Sequence, residues 1–280
     1  MSNRAMKKRW SVTSILHAWK LVGRSLLFAV AIACYVISTV LGHTDAVLGA
    51  LADNVWVLII IWAVFVAEML LRFFPFSVES KGCQKQFKRN FIPTDMTKPN
   101  LPSGKGTALS LGSWILLNGI IAALYFTSII DASILILISL FYSVCDMICI
   151  LYFCPFQTWF MKNKCCGSCR IYNWDYAMMF TPIAFIPHPY TLSLFGISLV
   201  LLIVWEIFFR VHPERFAENT NACLSCENCT EKLCHHKTQL KSFLKKNREL
   251  IAKYLKEREK KIKVKDEEKT ESETKTETAD

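Results

Sequence analysis

The sequence predicts an all-α fold, a polytopic membrane helical bundle of about six transmembrane helices in three hairpins, with cytoplasmic Cys-rich loops and a C-terminal amphipathic helix. Two observations carry this prediction. Of the 280 residues, 52% are hydrophobic, and they gather into runs of bilayer length, not into the short periodic segments of a soluble domain. The 33 Lys and Arg avoid three of the links between those runs, as links on the far side of a membrane do.

The elements follow in order. Residues 1–24 form a basic cytoplasmic segment with six Lys and Arg, long for a cleaved signal peptide. Apolar runs at residues 25–41 and 55–74 make the first hairpin, 25–74. The loop 75–108 adds six basic residues. Runs at 109–130 and 132–153 meet at a tight Asp131 turn and make the second hairpin, 109–153. The Cys-rich loop 154–170 holds three basic residues. Residues 171–187 are weakly apolar and contain Pro182, so hydropathy alone leaves a short crossing or a re-entrant piece. The last strong run is 192–209, and the third hairpin is 171–210.

Charge placement decides the weak segment. From Arg210 onward the chain carries 17 Lys and Arg, whereas links 42–54, 131–133 and 188–191 carry none. A crossing at 171–187 keeps every basic segment on one side of the membrane; without it, the 17 would face outward. We therefore read a multi-pass cell-membrane protein with both termini in the cytoplasm and with Pro187, His188 and Pro189 in an outer turn.

The three outgoing helices end alike. One ends Glu68-x3-Arg72-x2-Pro75 with Cys83 beyond it, another ends Glu206-x3-Arg210-x2-Pro213 with Cys223 beyond it, and the third ends at Cys154-Pro155 with Cys165 beyond it. This reads either as an internal repeat or as the habit of prolines to end helices. Glu68 and Arg72 share a helix face, as do Glu206 and Arg210, so each pair is expected to form an ion pair within its own helix. A lone intramembrane carboxylate costs about 3 kcal/mol, so the alternative to a structural pair is a proton or substrate site. In the fourth run Ser139, Tyr142, Asp146 and Cys149 fall on one face, with Asn118 of the third run a candidate partner for Asp146. Asp146, Glu68, Arg72, Glu206 and Arg210 are thus the candidates for an intramembrane polar site.

Cysteine carries the chemistry. Of 12 cysteines, Cys34, Cys145, Cys149 and Cys154 lie within or at the ends of crossings, where thiols pack as small hydrophobes. The other eight lie in segments read as cytoplasmic, a reducing compartment in which clustered cysteines bind metal more often than they form disulfides. Residues 211–237 contain the run CLSCENCTEKLC, with Cys223, Cys226, Cys229 and Cys234. C-x2-C-x2-C spacing holds three corners of a four-iron cluster. Zinc prefers paired C-x2-C knuckles, and a second one exists at Cys166-x2-Cys169, beside Cys165. His235 and His236 add nitrogen donors. The triple spacing favours a 4Fe-4S iron–sulfur cluster over zinc.

The motif Cys149-x4-Cys154-Pro155-Phe156, at the inner end of a crossing and followed by cysteine clusters, resembles membrane-anchored ferredoxin-type proteins. That resemblance implies four-iron clusters that pass electrons between a quinone and a redox partner protein. This chain departs from the ferredoxin run in two ways: Cys234 follows Cys229 after four residues instead of three with no proline behind it, and a second full run is missing.

Phosphate-binding glycine loops and hydrolase signatures are not found in the sequence. Residues 170–175, Arg-Ile-Tyr-Asn-Trp-Asp, read as an aromatic membrane boundary with Asp175 starting a helix. Residues 238–265 read as a basic amphipathic helix drawn to the lipid bilayer surface; positive-inside placement accounts for its charge without nucleic acid. The acidic tail 266–280 has no large apolar residue and is expected to be disordered.

Overall fold

The computed structural model describes residues 12–41, 54–75, 84–101, 104–161, 169–225 and 247–249. Among them the structure is all-helical apart from one isolated bridge between Pro93 and Asn221. Four helices are long and apolar enough to cross a membrane. They are α1 (Val12–Val40), α3 (Gly104–Phe126), α4 (Ala132–Leu151) and α6 (Pro189–Val211). The shorter α2 (Val55–Leu71) is also apolar. In the tail, the described residues 247–249 are helical.

Helix boundaries follow from local chemistry. Asp131 caps α4, its carboxylate accepting from the Ile134 N–H at 2.8 Å. Pro189 starts α6 at a position where its missing N–H costs nothing. α1 begins well before the apolar run: residues 12–24 are part of one 29-residue helix, about 44 Å long at 1.5 Å per residue. Lys20 and Arg24 therefore project from a helix wall.

Residues 170–185 do not form one helix. A 3-10 turn (Arg170–Trp174), a short helix α5 (Asp175–Phe180) and a second 3-10 turn (Pro182–Phe185) follow one another. Tyr172, Asn173, Trp174, Tyr176, Met179, Phe180 and Ile183 in this passage are all buried. It packs against α4 and α6. Irregular backbone and polar side chains are tolerated at membrane depth where protein surrounds them, and this explains why hydropathy reads the segment as weak.

The core lies along this passage. α1 packs along α4, and α2 packs against α6. Met69, Leu135, Tyr176, Met179 and Leu201 are at its centre. Outward, Val30, Val36, Ile60, Leu116, Ile120, Val200 and Ile203 are exposed on the long helices, an apolar belt suited to lipid.

α3 is the least embedded helix, and it is held at its two ends. Its last residue, Phe126, meets the ring of Phe185 edge-on at 6.1 Å. Its first turn crosses a π-helical turn at Phe156–Phe160 so closely that a Cβ on Gly106 would lie 2.5 Å from the Phe160 carbonyl oxygen. Gly112, two turns along α3, has open space around it. Gly106→Ala is therefore expected to lower thermal stability, because backbone must move. Gly112→Ala should raise it by up to about 1 kcal/mol through helix propensity. Thermal unfolding in detergent compares the two; equal effects would remove the crossing contact from this account.

At the end of the bundle bearing the basic loops, residues 84–101 clasp residues 213–225. Asn221 is fully buried and donates from Nδ2 to the carbonyls of Lys85 (3.0 Å) and Arg215 (2.9 Å). The Ala222 N–H donates to the Ile92 carbonyl at 2.9 Å, and Asn219 Nδ2 to the Lys98 carbonyl at 2.7 Å. Trp205 beneath them meets Phe87 and Phe216 edge-on.

Candidate functional site

Every acid in the helical bundle finds its cation on another element. Arg24 of α1 is 6% exposed. Its Nη2 donates to Glu68 Oε2 of α2 at 2.6 Å, and its Nη1 donates to Asp146 Oδ2 of α4 at 3.3 Å and to the Ser143 carbonyl at 3.2 Å. Glu68 also takes Lys20 Nζ at 3.3 Å and the Tyr176 hydroxyl at 3.0 Å. Arg72, 2% exposed, makes a two-pronged contact with Asp175, Nη1 to Oδ1 at 2.7 Å and Nη2 to Oδ2 at 2.5 Å. The same guanidinium lies over the rings of Tyr176 (4.5 Å) and Tyr172 (5.4 Å). Arg170 holds Glu206 through both Nε and Nη2, Trp174 Nε1 donates to the same carboxylate at 2.8 Å, and Arg170 stacks over Phe209 at 4.4 Å.

These partners replace the ones expected from spacing. Glu68 turns to Arg24 and Lys20, Arg72 to Asp175, and Glu206 to Arg170. Arg210 is exposed and makes no ion pair among the described residues. The i, i+4 spacing puts both side chains on one face, but an acid that faces protein is satisfied more fully by an Arg already lodged in the interior than by one snorkelling to the surface. Asn118 does not reach Asp146; its Nδ2 donates to the Trp114 carbonyl at 3.0 Å. The four cations Lys20, Arg24, Arg72 and Arg170 balance the four carboxylates Glu68, Asp146, Asp175 and Glu206. Neutrality of this kind offsets the cost of burying charge.

The polar face of α4 divides between two cavities. Ser139 donates to the Met179 carbonyl at 2.8 Å and lines a cavity of about 270 Å³ between α1 and α2. Tyr142, Asp146 and Cys149 line another, of about 370 Å³, between α3 and α4. Its walls are mostly apolar and aromatic, and four cysteines reach it: Cys145, Cys149, Cys154 and Cys169. The thiols of Cys149 and Cys154 are in hydrogen-bonding contact, and the Gln157 N–H donates to Cys154 Sγ at 3.4 Å.

Of the seven cysteines expected to bind metal, two are described. Cys169 is buried in the wall of the larger cavity. Cys223 donates from Sγ to the Asn90 carbonyl at 2.9 Å, while its N–H donates to Asn221 Oδ1 at 3.1 Å. Cys165, Cys166, Cys226, Cys229 and Cys234, with His235 and His236, lie outside the described residues. Among the described residues, no group of three or more His, Cys, Asp and Glu is placed to hold a metal.

Residue spacing did not single out Lys20, Arg24 or Tyr176, and it gave Asp175 and Arg170 only a boundary role. A signal existed. Three acids within apolar runs require cations of comparable depth, and Arg24 stands one residue before the first run. Compared with known proteins, the chain matches no family model, no curated protein and no solved structure.

Proposed function

We propose that this is a six-crossing membrane protein with both termini in the cytoplasm, and that its cytoplasmic cysteines hold a metal centre, iron–sulfur in preference to zinc, that exchanges electrons with a quinone in the bilayer. The observation that carries this is the rooting of the C-x2-C-x2-C run. Asn221, Ala222 and Cys223 are hydrogen-bonded to residues 84–101, so the first cysteine of the run starts from fixed backbone. Three thiolates at Cys223, Cys226 and Cys229 suit three corners of a four-iron cluster. The fourth comes from Cys234 or from Cys165, Cys166 or Cys169. A quinone takes two electrons and two protons to become a hydroquinone, and a cluster supplies the electrons one at a time.

The six-crossing layout is supported by charge placement and by length. The passage 170–185 has a contour of about 28 Å, at 1.5 Å per α residue and ~2.0 Å per 3-10 residue, close to a bilayer core. A cysteine introduced at His43 or His188 should react with an impermeant maleimide added outside intact cells, and one at Lys98 or Lys260 should not. Labelling at Lys260 from outside overturns the layout.

Anaerobically purified protein is expected to be brown and to contain iron and acid-labile sulfide. Replacing Cys223, Cys226 or Cys229 by Ser should bleach it and lower its stability, since metal binding and folding are coupled. Colourless protein with about one zinc per chain would leave a structural staple in a transporter or scaffold, because zinc has no redox chemistry. The engagement of Asp146 and Glu68 by Arg24 supports a structural role for those acids over a transport one.

A further inference from the structure

We infer that the cavity between α3 and α4 is a binding site for a flat, lipid-soluble quinone ring, entered sideways from the bilayer. The redox role of that ring rests on the function proposed above; the binding does not. α3 is pinned at its first turn by Gly106 against Phe160 and at its last by Phe126 against Phe185. Between these points it stands off from α4 and leaves a space of about 370 Å³, within the usual range for small-molecule sites, roughly 300–1,000 Å³. Leu117 on the α3 wall is 49% exposed and Trp159 at the rim is 64% exposed, so the opening faces the apolar belt and not a loop.

The walls specify the occupant. Trp114, Tyr142, Phe156, Phe160 and Tyr172 supply aromatic surface, and Met178 and Met179 supply polarisable sulfur. Two hydrogen-bond donors stand unused on opposite walls. The indole Nε1 of Trp114 on α3 is buried with no partner, and the hydroxyl of Tyr142 on α4 has none among the described residues. A buried donor without an acceptor is costly and rare. A ring with two carbonyl oxygens and no donor of its own satisfies both. Asp146, on the Tyr142 wall, accepts from the hydroxyl that appears when such a ring is reduced, so both oxidation states find partners. An acyl chain would fill the volume and leave the two donors unsatisfied.

The test is equilibrium binding of tritiated decylubiquinone to the full-length protein in phosphatidylcholine nanodiscs, against empty discs. Saturable binding at one site per chain is expected. Leu117→Trp, at a position half open to lipid, should weaken it at least about tenfold by filling the cavity, whereas Val57→Trp in the α1–α2 cavity should leave it unchanged. Trp114→Phe and Tyr142→Phe should each weaken it about five- to tenfold, the effect of one ordinary hydrogen bond. Uptake no greater than in empty discs overturns the site. So does equal displacement by palmitate, which marks an acyl-chain groove, and so does loss of binding in Val57→Trp but not in Leu117→Trp. Metal-free protein that still binds the quinone keeps the site and refutes the electron-transfer reading; iron-containing protein that binds none refutes the site alone.

Discussion

Replacing Arg24 by Met is expected to be among the most damaging single changes in this protein. One guanidinium serves two carboxylates, Glu68 and Asp146, and a main-chain carbonyl. Its loss leaves Asp146 buried with no cation, and a carboxylate stranded in this way costs about 3–5 kcal/mol. Glu68 fares better, because Lys20 and the Tyr176 hydroxyl remain beside it. That asymmetry gives the prediction its internal check. Arg24→Met with Asp146→Asn should recover most of the lost stability, whereas Arg24→Met with Glu68→Gln should recover less. Thermal unfolding in detergent, with the single and double variants set in a cycle, measures both couplings. If Arg24→Met unfolds at the wild-type temperature, the cluster contributes nothing to stability, and its acids regain their claim to a transport or proton role.

Much of the fold was legible because hydropathy and charge are summed over many residues. A run of 20 apolar residues is recognisable whatever its neighbours do, and α3, α4 and α6 lie close to the runs read from sequence. Partner choice is another matter, since it depends on how each helix is rotated about its axis. Glu68 and Arg72 share a face, yet Arg72 reaches across to Asp175 while Glu68 reaches α1. Spacing states an opportunity for pairing and cannot rank it against one from a distant element. The likeness among the three helix ends fails for the same reason: Arg72 is buried and paired, whereas Arg210 is exposed. The broken passage 170–185 was half legible. Pro182 and the polar Asn173 and Asp175 announced an irregular segment, but only packing shows that Asn173 meets Gln86 at 3.3 Å and that the whole stretch is enclosed. The cavity between α3 and α4 was not legible at all, because it arises from the two ends of α3 being held while its middle is not.

The pair Arg72–Asp175 should behave differently from the Arg24 cluster, although both are buried. It is closed: one cation, one carboxylate, two parallel hydrogen bonds, and tyrosine rings against the guanidinium. Removing either partner strands the other. Arg72→Leu leaves Asp175 near the centre of the bundle, and Asp175→Leu leaves a guanidinium at 2% exposure; each is expected to cost about 3–5 kcal/mol. Removing both leaves no charge behind, and Leu at each position is compatible with the apolar and aromatic surroundings. Replacing a buried ion pair by packed apolar groups is often neutral or stabilising by about 1–4 kcal/mol. The double variant Arg72→Leu, Asp175→Leu should therefore unfold at a higher temperature than either single variant, with a coupling of several kcal/mol in the cycle. Additive losses would mean that the two residues act through separate contacts, Arg72 through its tyrosine rings and Asp175 through the Tyr176 N–H it accepts at 2.9 Å. Rescue at Arg72–Asp175 by two apolar residues, together with rescue at Arg24 through Asp146 more than through Glu68, distinguishes a closed pair from a branched cluster in the same bundle.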